Sequence, residues 1–168
     1  MEIIKLSSKA VNKAALILNR GGIIISPTDT VYGFLADATN KKAVEKIYKI
    51  KKRPKFKTLP VFVKDLAMAK KVAFIDKKAE KVLKTPKVTV VLKVKPGNKL
   101  YNVVLKGTIA MRIPQHPFLQ KLLKKVNRPL AQTSVNISSQ KSLNNIGTII
   151  EAFGKNKRVG MIIEGGDL

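Results

Sequence analysis

Five hydrogen-bonding side chains crowd the segment SPTDTVYGF, residues 26–34, directly after the apolar run GIII at 22–25. A strand that ends in such side chains can bind a small polar molecule, because ligands of open α/β sheets bind in the crevice beyond the strand ends. Asp29 is the only acid in the segment, and turn formation or capping is the role we expect for it. The side chains are those of Ser26, Thr28, Asp29, Thr30 and Tyr32.

A second cluster, KKRPKFK at 51–57, places five cations within seven residues around a proline. Lysine supplies a point charge and arginine a flat bidentate fork, so the cluster can neutralise a triphosphate and the charge that develops when it is cleaved. An ordinary solvated lysine run gives the same pattern. Arg53 favours the phosphate interpretation, because only five of the 34 basic residues are arginine.

Two later segments, TIAMRIPQH at 108–116 and TSVNISS at 133–139, also put polar groups at strand ends. Arg112 can hold a carboxylate or a phosphate bidentately, but a strand arginine that faces outward or pairs with an acid gives the same pattern. Ser134 and Asn136 can hydrogen-bond a nucleotide or an amino acid, but such residues also make turns and helix caps.

Standard catalytic signatures are missing from the sequence. There is no GxxxxGK[ST] phosphate loop, no GxGxxG fingerprint and no cysteine, so nucleotide binding requires another kind of loop and thiolate chemistry is excluded. We expect the single histidine, His116, to be structural, because one histidine without clustered carboxylates makes a poor metal site. The sequence therefore predicts neither a protein nucleophile nor a metal centre.

Helical and strand patterns alternate along the chain and must position these clusters. Capping residues and a 3.6-residue periodicity mark the helices, and short apolar runs mark the strands. The alternation favours one α/β domain over residues 1–168, with a mixed sheet. Helices are predicted between Ser7 and Gly21 and at 40–51, 65–72, 76–84, 116–126 and 145–153, and strands at 22–26, 59–63, 88–94, 108–113, 129–133 and 159–163.

The net charge is the unusual bulk property, since 34 basic and 10 acidic residues give +24. Such a charge attracts nucleic acid or polyphosphate, although lysine excess also follows from composition and solubility alone. No apolar run approaches the roughly 20 residues that span a membrane, and the N-terminus lacks the pattern of a signal peptide. We therefore expect a cytoplasmic protein without membrane contact.

The four clusters, in this order, resemble those of the YrdC family, the threonylcarbamoyl-AMP synthases. GGIIISPTDTVYGFLADA resembles the family's opening strand and PTDTVYGL loop, and IKKRPKFKTLPVFV resembles its lysine-x-arginine-proline segment. TIAMRIPQHPFLQKLL resembles the TVAVRxPxHP segment, and RPLAQTSVNISSQ resembles the TSAN-containing segment. Four motifs in the family's order and spacing make the resemblance specific.

The resemblance implies a YrdC-like twisted sheet with flanking helices around a basic concave face. It also implies a nucleotidyltransferase that converts ATP, L-threonine and bicarbonate into threonylcarbamoyl-adenylate and pyrophosphate, for transfer to a tRNA adenosine by downstream threonylcarbamoyl-transferase proteins. Threonine's amine would capture carbon dioxide, and the resulting carbamate would attack the α-phosphate, so the protein contributes positioning and charge stabilisation. Mg²⁺ would arrive on ATP, because the clusters hold too few carboxylates for a cage.

Site roles also follow from the resemblance, position by position. Thr30, Arg112 and Ser134 correspond to residues that hold threonine. Lys51 and Arg53 would stabilise the departing pyrophosphate and are the catalytic candidates. The set that would face ATP is Lys51, Arg53, Lys57, Thr108, Asn136 and Asn144.

The chain departs from the family pattern at several positions. Thr58 replaces a usual proline, Val135 a usual alanine and Ser139 a usual glycine, and a Pro-Gly-Pro run is reduced to TPK at 85–87. The sequence stops at IIEGGDL, where relatives continue into a Ser-Thr-x-x-Asp strand and a late arginine that help to close the nucleotide site. We therefore expect weaker nucleotide binding.

Two other functions remain open from the sequence. A non-catalytic module of the same fold that binds double-stranded RNA, tRNA or the ribosome is consistent with the charge of +24. A carbamoyl-adenylate-forming domain of hydrogenase maturation has related chemistry, but such domains normally belong to much longer chains.

Overall fold

Side-chain caps set the start of most helices. The computed structural model describes residues 1–137 and 141–168. Ser7 caps the first helix by accepting a hydrogen bond from the Ala10 amide, and Asn40 accepts one from the Ala43 amide of the second, as expected for these residue types. The helices are α1 (Ser8–Asn19), α2 (Lys41–Lys51), α3 (Leu66–Val72), α4 (Lys77–Leu83), α5 (Pro117–Val126) and α6 (Ile146–Phe153).

Within the described residues, nine strands form one mixed sheet. The sheet order is β1, β9, β2, β3, β8, β4, β7, β5, and β6 also pairs with β7. β9 is parallel to β1 and β2, β4 is parallel to β7, and the other pairs are antiparallel. The predicted α/β class is confirmed. The strands are β1 (Glu2–Lys5), β2 (Ile24–Pro27), β3 (Tyr32–Asp37), β4 (Val61–Phe62), β5 (Val90–Lys93), β6 (Val104–Leu105), β7 (Thr108–Arg112), β8 (Leu130–Ser134) and β9 (Met161–Glu164).

Two helical layers cover opposite faces of the sheet. Because strand side chains alternate, Ile25 and Phe34 pack in the core with α2, α3, α4 and α6, whereas Ile24 and Leu35 pack in the core with α1 and α5. All four side chains are fully buried, and each such burial contributes about 1.5–3 kcal/mol. Across the described ranges, no helix combines the length and apolarity that crossing a membrane requires.

The layer of α1 and α5 leaves part of its sheet face open. In the described chain, the core beneath these helices reaches β4 but includes no residue of β5, β6 or β7. Ile109 and Met111 of β7 point into the other core, so Thr108 and Arg112 face the open side. Val91 of the neighbouring strand lies on the same side and is 66% exposed. These strands form the floor of an uncovered concave surface.

Three strands were missed by the sequence analysis. β1 is mostly exposed and β6 has only two residues, so neither carries an apolar run. β3 was hidden because it begins inside the polar segment 26–34, where the chain turns back to pair with β2. The predicted strand 59–63 shortens to the two residues of β4, next to Pro60, which has no amide hydrogen to donate.

Tyr32, the first residue of β3, anchors the segment that follows β9. Its side chain is fully buried. Its hydroxyl donates to the Gly166 carbonyl at 2.7 Å and accepts from the Gly165 amide at 2.9 Å. Tyr32 therefore has a structural role in joining two distant segments.

We expect the substitution Tyr32→Phe to lower the free energy of unfolding by about 1–3 kcal/mol, because it leaves two backbone groups without their partner. Urea unfolding measures this change. Amide exchange at Gly165 should also become faster. The matched control is Tyr101→Phe, since Tyr101 is 40% exposed. Equal unfolding free energies for the two variants would contradict the anchoring role.

Candidate functional site

Thr28 shapes the turn between β2 and β3. Its Oγ1 accepts from the amides of Thr30 and Val31 at 3.1 and 3.2 Å, and donates to the Val31 carbonyl at 2.7 Å. A hydroxyl that bonds to the backbone two and three residues ahead makes a local turn. The role expected for Asp29 therefore belongs to Thr28, which frees the Asp29 carboxylate for another contact.

Asp29 forms a buried ion pair with Arg112. Arg112 Nη2 lies 2.5 Å from Asp29 Oδ1, and each side chain is 8% exposed. The guanidinium also lies over the Phe62 ring, 5.8 Å from its centroid, and its Nη1 is 3.4 Å from Thr30 Oγ1. Asp29 Oδ2 accepts from the Gln115 amide at 3.3 Å. The pair thus joins the β2–β3 turn to the end of β7.

This contact spans several strands of the sheet. β8 and β4 lie between β3 and β7, so a flat sheet would hold those two strands roughly 14 Å apart, at about 4.8 Å per strand spacing. Arg112 nevertheless reaches the turn that precedes β3. The long Arg112 side chain therefore bridges the strands between β7 and the β2–β3 turn.

Lys51 is the second buried charge. It is the last residue of α2 and is 1% exposed. Its Nζ donates to the Ser134 carbonyl at 2.6 Å and to Asn136 Oδ1. Burial, with a smaller contribution from the charge of Arg53, lowers the pKa of Lys51 from its ordinary 10.5 to about 8. Ser134 Oγ also donates to Asn136 Oδ1, so the three residues form one network.

The β3–β8 strand pair connects the two groups of buried charges, because Thr30 precedes β3 and Ser134 ends β8. Gly33 is paired with Ser134 across β3 and β8. A Cβ atom at position 33 would lie 3.3 Å from the Thr133 carbonyl oxygen and 3.4 Å from Thr28 Cγ2. A glycine here lets the β2–β3 turn approach the end of β8 closely. The structure therefore brings together residues of all four sequence clusters.

Arg53 holds its own loop together. Its Nε donates to the Lys57 carbonyl at 2.8 Å and its Nη2 to the Thr58 carbonyl at 2.9 Å. The Tyr48 hydroxyl donates to the same Lys57 carbonyl at 3.0 Å. The Lys57 side chain is exposed. The predicted phosphate roles of Arg53 and Lys57 stay predictions, and the geometry adds a loop-shaping role for Arg53.

Thr108 and Asn144 lie at the margins of the cluster. Thr108 shares the open face with Arg112, and its hydroxyl donates to the Leu105 carbonyl at 2.7 Å. Asn144 follows Leu143, whose amide donates to the Val135 carbonyl at 2.8 Å, and among the described residues Asn144 Oδ1 is buried without a hydrogen-bond partner. Ser138 and Ser139 of the fourth cluster lie outside the described residues.

His116 lies near the cluster but faces a different pocket. A surface pocket of about 410 Å³ between the first turns of α1 and α5 is lined by His116, Ser7 and Lys121, among others. Burial lowers the pKa of His116, and the Asp29 carboxylate opposes that shift. Within the described chain, no group of three or more histidine, aspartate or glutamate residues could hold a metal ion. We place the candidate site at the buried charges of Asp29, Arg112 and Lys51. Burying a charged side chain destabilises the fold, and a functional role explains why such residues are present.

Comparison with known sequences identifies relatives of the chain. The Sua5/YciO/YrdC family model, described as "Telomere recombination", matches residues 16–168. Threonylcarbamoyl-AMP synthase of Bacillus subtilis is 32% identical over 162 residues, which are 93% of this chain and 46% of that protein. The chain thus spans about half the length of this relative.

Two solved structures resemble the whole chain. P. abyssi Sua5 in complex with L-threonine superposes with a TM-score of 0.88 at 28% identity, over 99% of this chain and 51% of that one. E. coli YciO superposes with a TM-score of 0.84 at 28% identity, over 99% of this chain and 84% of that one. The twisted, mixed sheet and its flanking helices are therefore shared with both proteins.

We expect the Lys51 amine to titrate near pH 8 when its carbon resonances are followed by NMR. The pKa of Lys51 is about 8 in the folded chain and has its ordinary value of 10.5 in the unfolded chain. Between these pH values the unfolded chain binds more protons, so the free energy of unfolding should rise from pH 8 to pH 10.5.

The variant Lys51→Met serves as the control, because it should lack both the resonance and this part of the rise. Arg53→Gln should raise the pKa of Lys51, since it removes a nearby positive charge. A Lys51 resonance that titrates at the ordinary 10.5 would contradict the buried, unneutralised environment.

Proposed function

The chain belongs to the Sua5/YciO/YrdC family, and from that membership we propose that it is an L-threonylcarbamoyladenylate synthase, a nucleotidyltransferase. The reaction combines L-threonine, bicarbonate and ATP to give threonylcarbamoyl-adenylate, pyrophosphate and water. The named relatives support the family activity. The substrates and the chemistry for this chain are the proposal.

One observation carries the proposal, namely the connection of two different cationic groups through the β3–β8 strand pair. Arg112 offers a planar guanidinium for a carboxylate, and Lys51 offers a compact ammonium for a phosphate. A mixed anhydride between a carbamate and an α-phosphate forms where these two kinds of anion meet. The arrangement suits a transfer between an amino acid and a nucleotide.

The threonine site is proposed at Thr30, Arg112 and Ser134. Arg112 has five N–H donors, and among the described residues its Nε has no hydrogen-bond partner. A substrate carboxylate can therefore bind beside Asp29 rather than displace it. The Thr30 hydroxyl lies next to this guanidinium and can bind the substrate's own hydroxyl. The complex of P. abyssi Sua5 with L-threonine supports an amino-acid site in this fold.

The ATP site is proposed along the Lys51 side of the cluster. A triphosphate near Lys51 would favour its protonated form, because an opposite charge stabilises the ammonium. Asn136 and Asn144 flank the end of β8 and can bind the nucleotide through their amides. Mg²⁺ would arrive with ATP, since Asp29 is the acid of this cluster and is already paired with Arg112. The full set is Lys51, Arg53, Lys57, Thr108, Asn136 and Asn144.

The proposed chemistry requires positioning more than a protein nucleophile. The threonine amine, once deprotonated, takes up carbon dioxide, and a carbamate oxygen attacks the α-phosphorus as the bond to pyrophosphate breaks. Lys51 and Arg53 would stabilise the negative charge on the leaving pyrophosphate. Threonylcarbamoyl-transferase proteins would then consume the adenylate to modify a tRNA adenosine.

A second candidate function is a non-catalytic RNA-binding module. The net charge of +24 favours it, because many cations release counterions when they bind a phosphate backbone. In this alternative the concave face would bind double-stranded RNA or tRNA, or the ribosome, without turning over ATP. The two functions differ in whether threonine stimulates ATP cleavage.

We expect purified protein with ATP, Mg²⁺, bicarbonate and L-threonine to release pyrophosphate only when threonine is present. Arg112→Ala should lower kcat/KM for threonine about 10²-fold, because it removes a charged hydrogen-bonding partner worth about 1.5–3 kcal/mol. Arg53→Ala should lower kcat. Arg158→Ala is the matched control, since Arg158 is exposed.

The absence of threonine-dependent pyrophosphate release, together with RNA binding that weakens steeply as salt increases, would reject the enzyme in favour of the module. If Arg112→Ala releases pyrophosphate with the same kcat/KM for threonine as wild type, the proposed threonine site is rejected.

L-serine tests the fit of the amino-acid side chain. Serine lacks one methyl group, which a small apolar pocket discriminates by about 1–3 kcal/mol. We expect kcat/KM for serine to be about 10-fold to 100-fold lower than for threonine, measured as pyrophosphate release. Equal values for both amino acids would show that the site does not recognise the methyl group.

A further inference from the structure

The proposed reaction gives Asp29 no role, although Asp29 contacts Arg112 in the proposed amino-acid site. We propose that the Asp29 carboxylate binds the α-ammonium group of the substrate, so that Asp29 and Arg112 together select a zwitterion over a simple carboxylate. The inference rests on the proposed function and assigns a specificity-determining residue within it.

The burial of Asp29 is the first reason. Its side chain is 8% exposed, and a carboxylate in such a place is costly unless it is paired. Pairing with Arg112 offsets that cost, but a turn residue could have been neutral at the same position, since Thr28 already forms the turn. Formation of the β2–β3 turn therefore does not explain why position 29 is an acid.

The second reason is the unneutralised positive charge that Arg112 would present if Asp29 were absent. The proposed site also includes the cations Lys51 and Arg53, which interact with each other, and the proposed second substrate is a triphosphate. An unpaired, buried guanidinium would bind any anion, including phosphate groups. With Asp29 beside it, the pair has no net charge, and a neutral zwitterion fits it better than an anion does.

The third reason is the geometry of an α-amino acid. Its ammonium nitrogen and carboxylate carbon are about 2.5 Å apart, because one Cα atom separates them. When the substrate carboxylate binds to Arg112, the substrate ammonium group therefore lies close to the protein groups beside the guanidinium. Asp29 adjoins it at 2.5 Å and is held from its other oxygen by the Gln115 amide.

Arg112 can accept the substrate while Asp29 stays in place. One oxygen of Asp29 contacts Nη2, which leaves most of the five guanidinium N–H donors for a second carboxylate. Asp29 then has lone pairs free for an ammonium donor. The two charges of the substrate would each face the opposite charge of the protein.

The test compares two ligands that differ only in the amine, L-threonine and 3-hydroxybutanoate, by calorimetric titration of the intact protein. Wild type should bind threonine at least 10-fold more tightly. Asp29→Asn should weaken threonine binding 10-fold or more, but leave 3-hydroxybutanoate binding unchanged or tighter, because the negative charge beside Arg112 is removed. The asparagine side chain in this variant keeps a carbonyl oxygen for the Gln115 amide, so the turn should stay tied to β7.

Asp76→Asn is the matched control, because Asp76 caps the remote helix α4 and asparagine caps equally well. If Asp29→Asn binds threonine as wild type does, or loses both ligands to the same extent, the ammonium role is overturned while the proposed function stands.

If Asp29→Asn does not fold, the wild-type preference alone decides. Equal affinity for the two ligands overturns the inference, and a 10-fold preference for threonine supports it. If wild type binds no threonine at all, the proposed function fails and the inference fails with it.

Discussion

A buried ion pair holds the concave face of this protein in place. Asp29 and Arg112 come from a turn and a strand that are three strand spacings apart, yet they meet with little solvent exposure. Such a pair adds little net stability, because desolvation offsets much of the Coulomb attraction. Its main effect is on position. It fixes the end of β7 against the β2–β3 turn, where Thr30 also contacts the guanidinium.

Lys51 is buried in a different way, with oxygen atoms of uncharged groups as its partners. The Ser134 carbonyl and Asn136 Oδ1 accept its protons, and neither oxygen carries a full negative charge. Burial therefore lowers its pKa to about 8, so its charge responds strongly to an arriving anion. Among the described residues, the guanidinium of Arg112 is therefore paired with a carboxylate, whereas the ammonium of Lys51 has no carboxylate in an ion pair with it. This contrast is consistent with the two chemically different substrates that we propose.

Most of the fold could be predicted from local signals. Ser7 and Asn40 mark helix starts because capping depends on neighbouring residues alone. β3 could not be found in this way, since its pairing with β2 and β8 joins segments that are far apart in the sequence. The four polar clusters were recognised from residue types and spacing alone. Their contacts were not predictable, because Lys51 and Ser134 are 83 residues apart.

The sequence by itself determined the α/β class, the family and the inventory of chemical groups, because motifs and periodicity are properties of short segments. The tertiary structure alone decided what each group does. In the folded protein, Thr28 forms the turn and Asp29 forms an ion pair with Arg112. The tertiary structure also buried Lys51 and turned Arg53 toward its own loop. These outcomes depend on the order of the strands in the sheet, which arises from pairing between distant segments and leaves no local pattern to read.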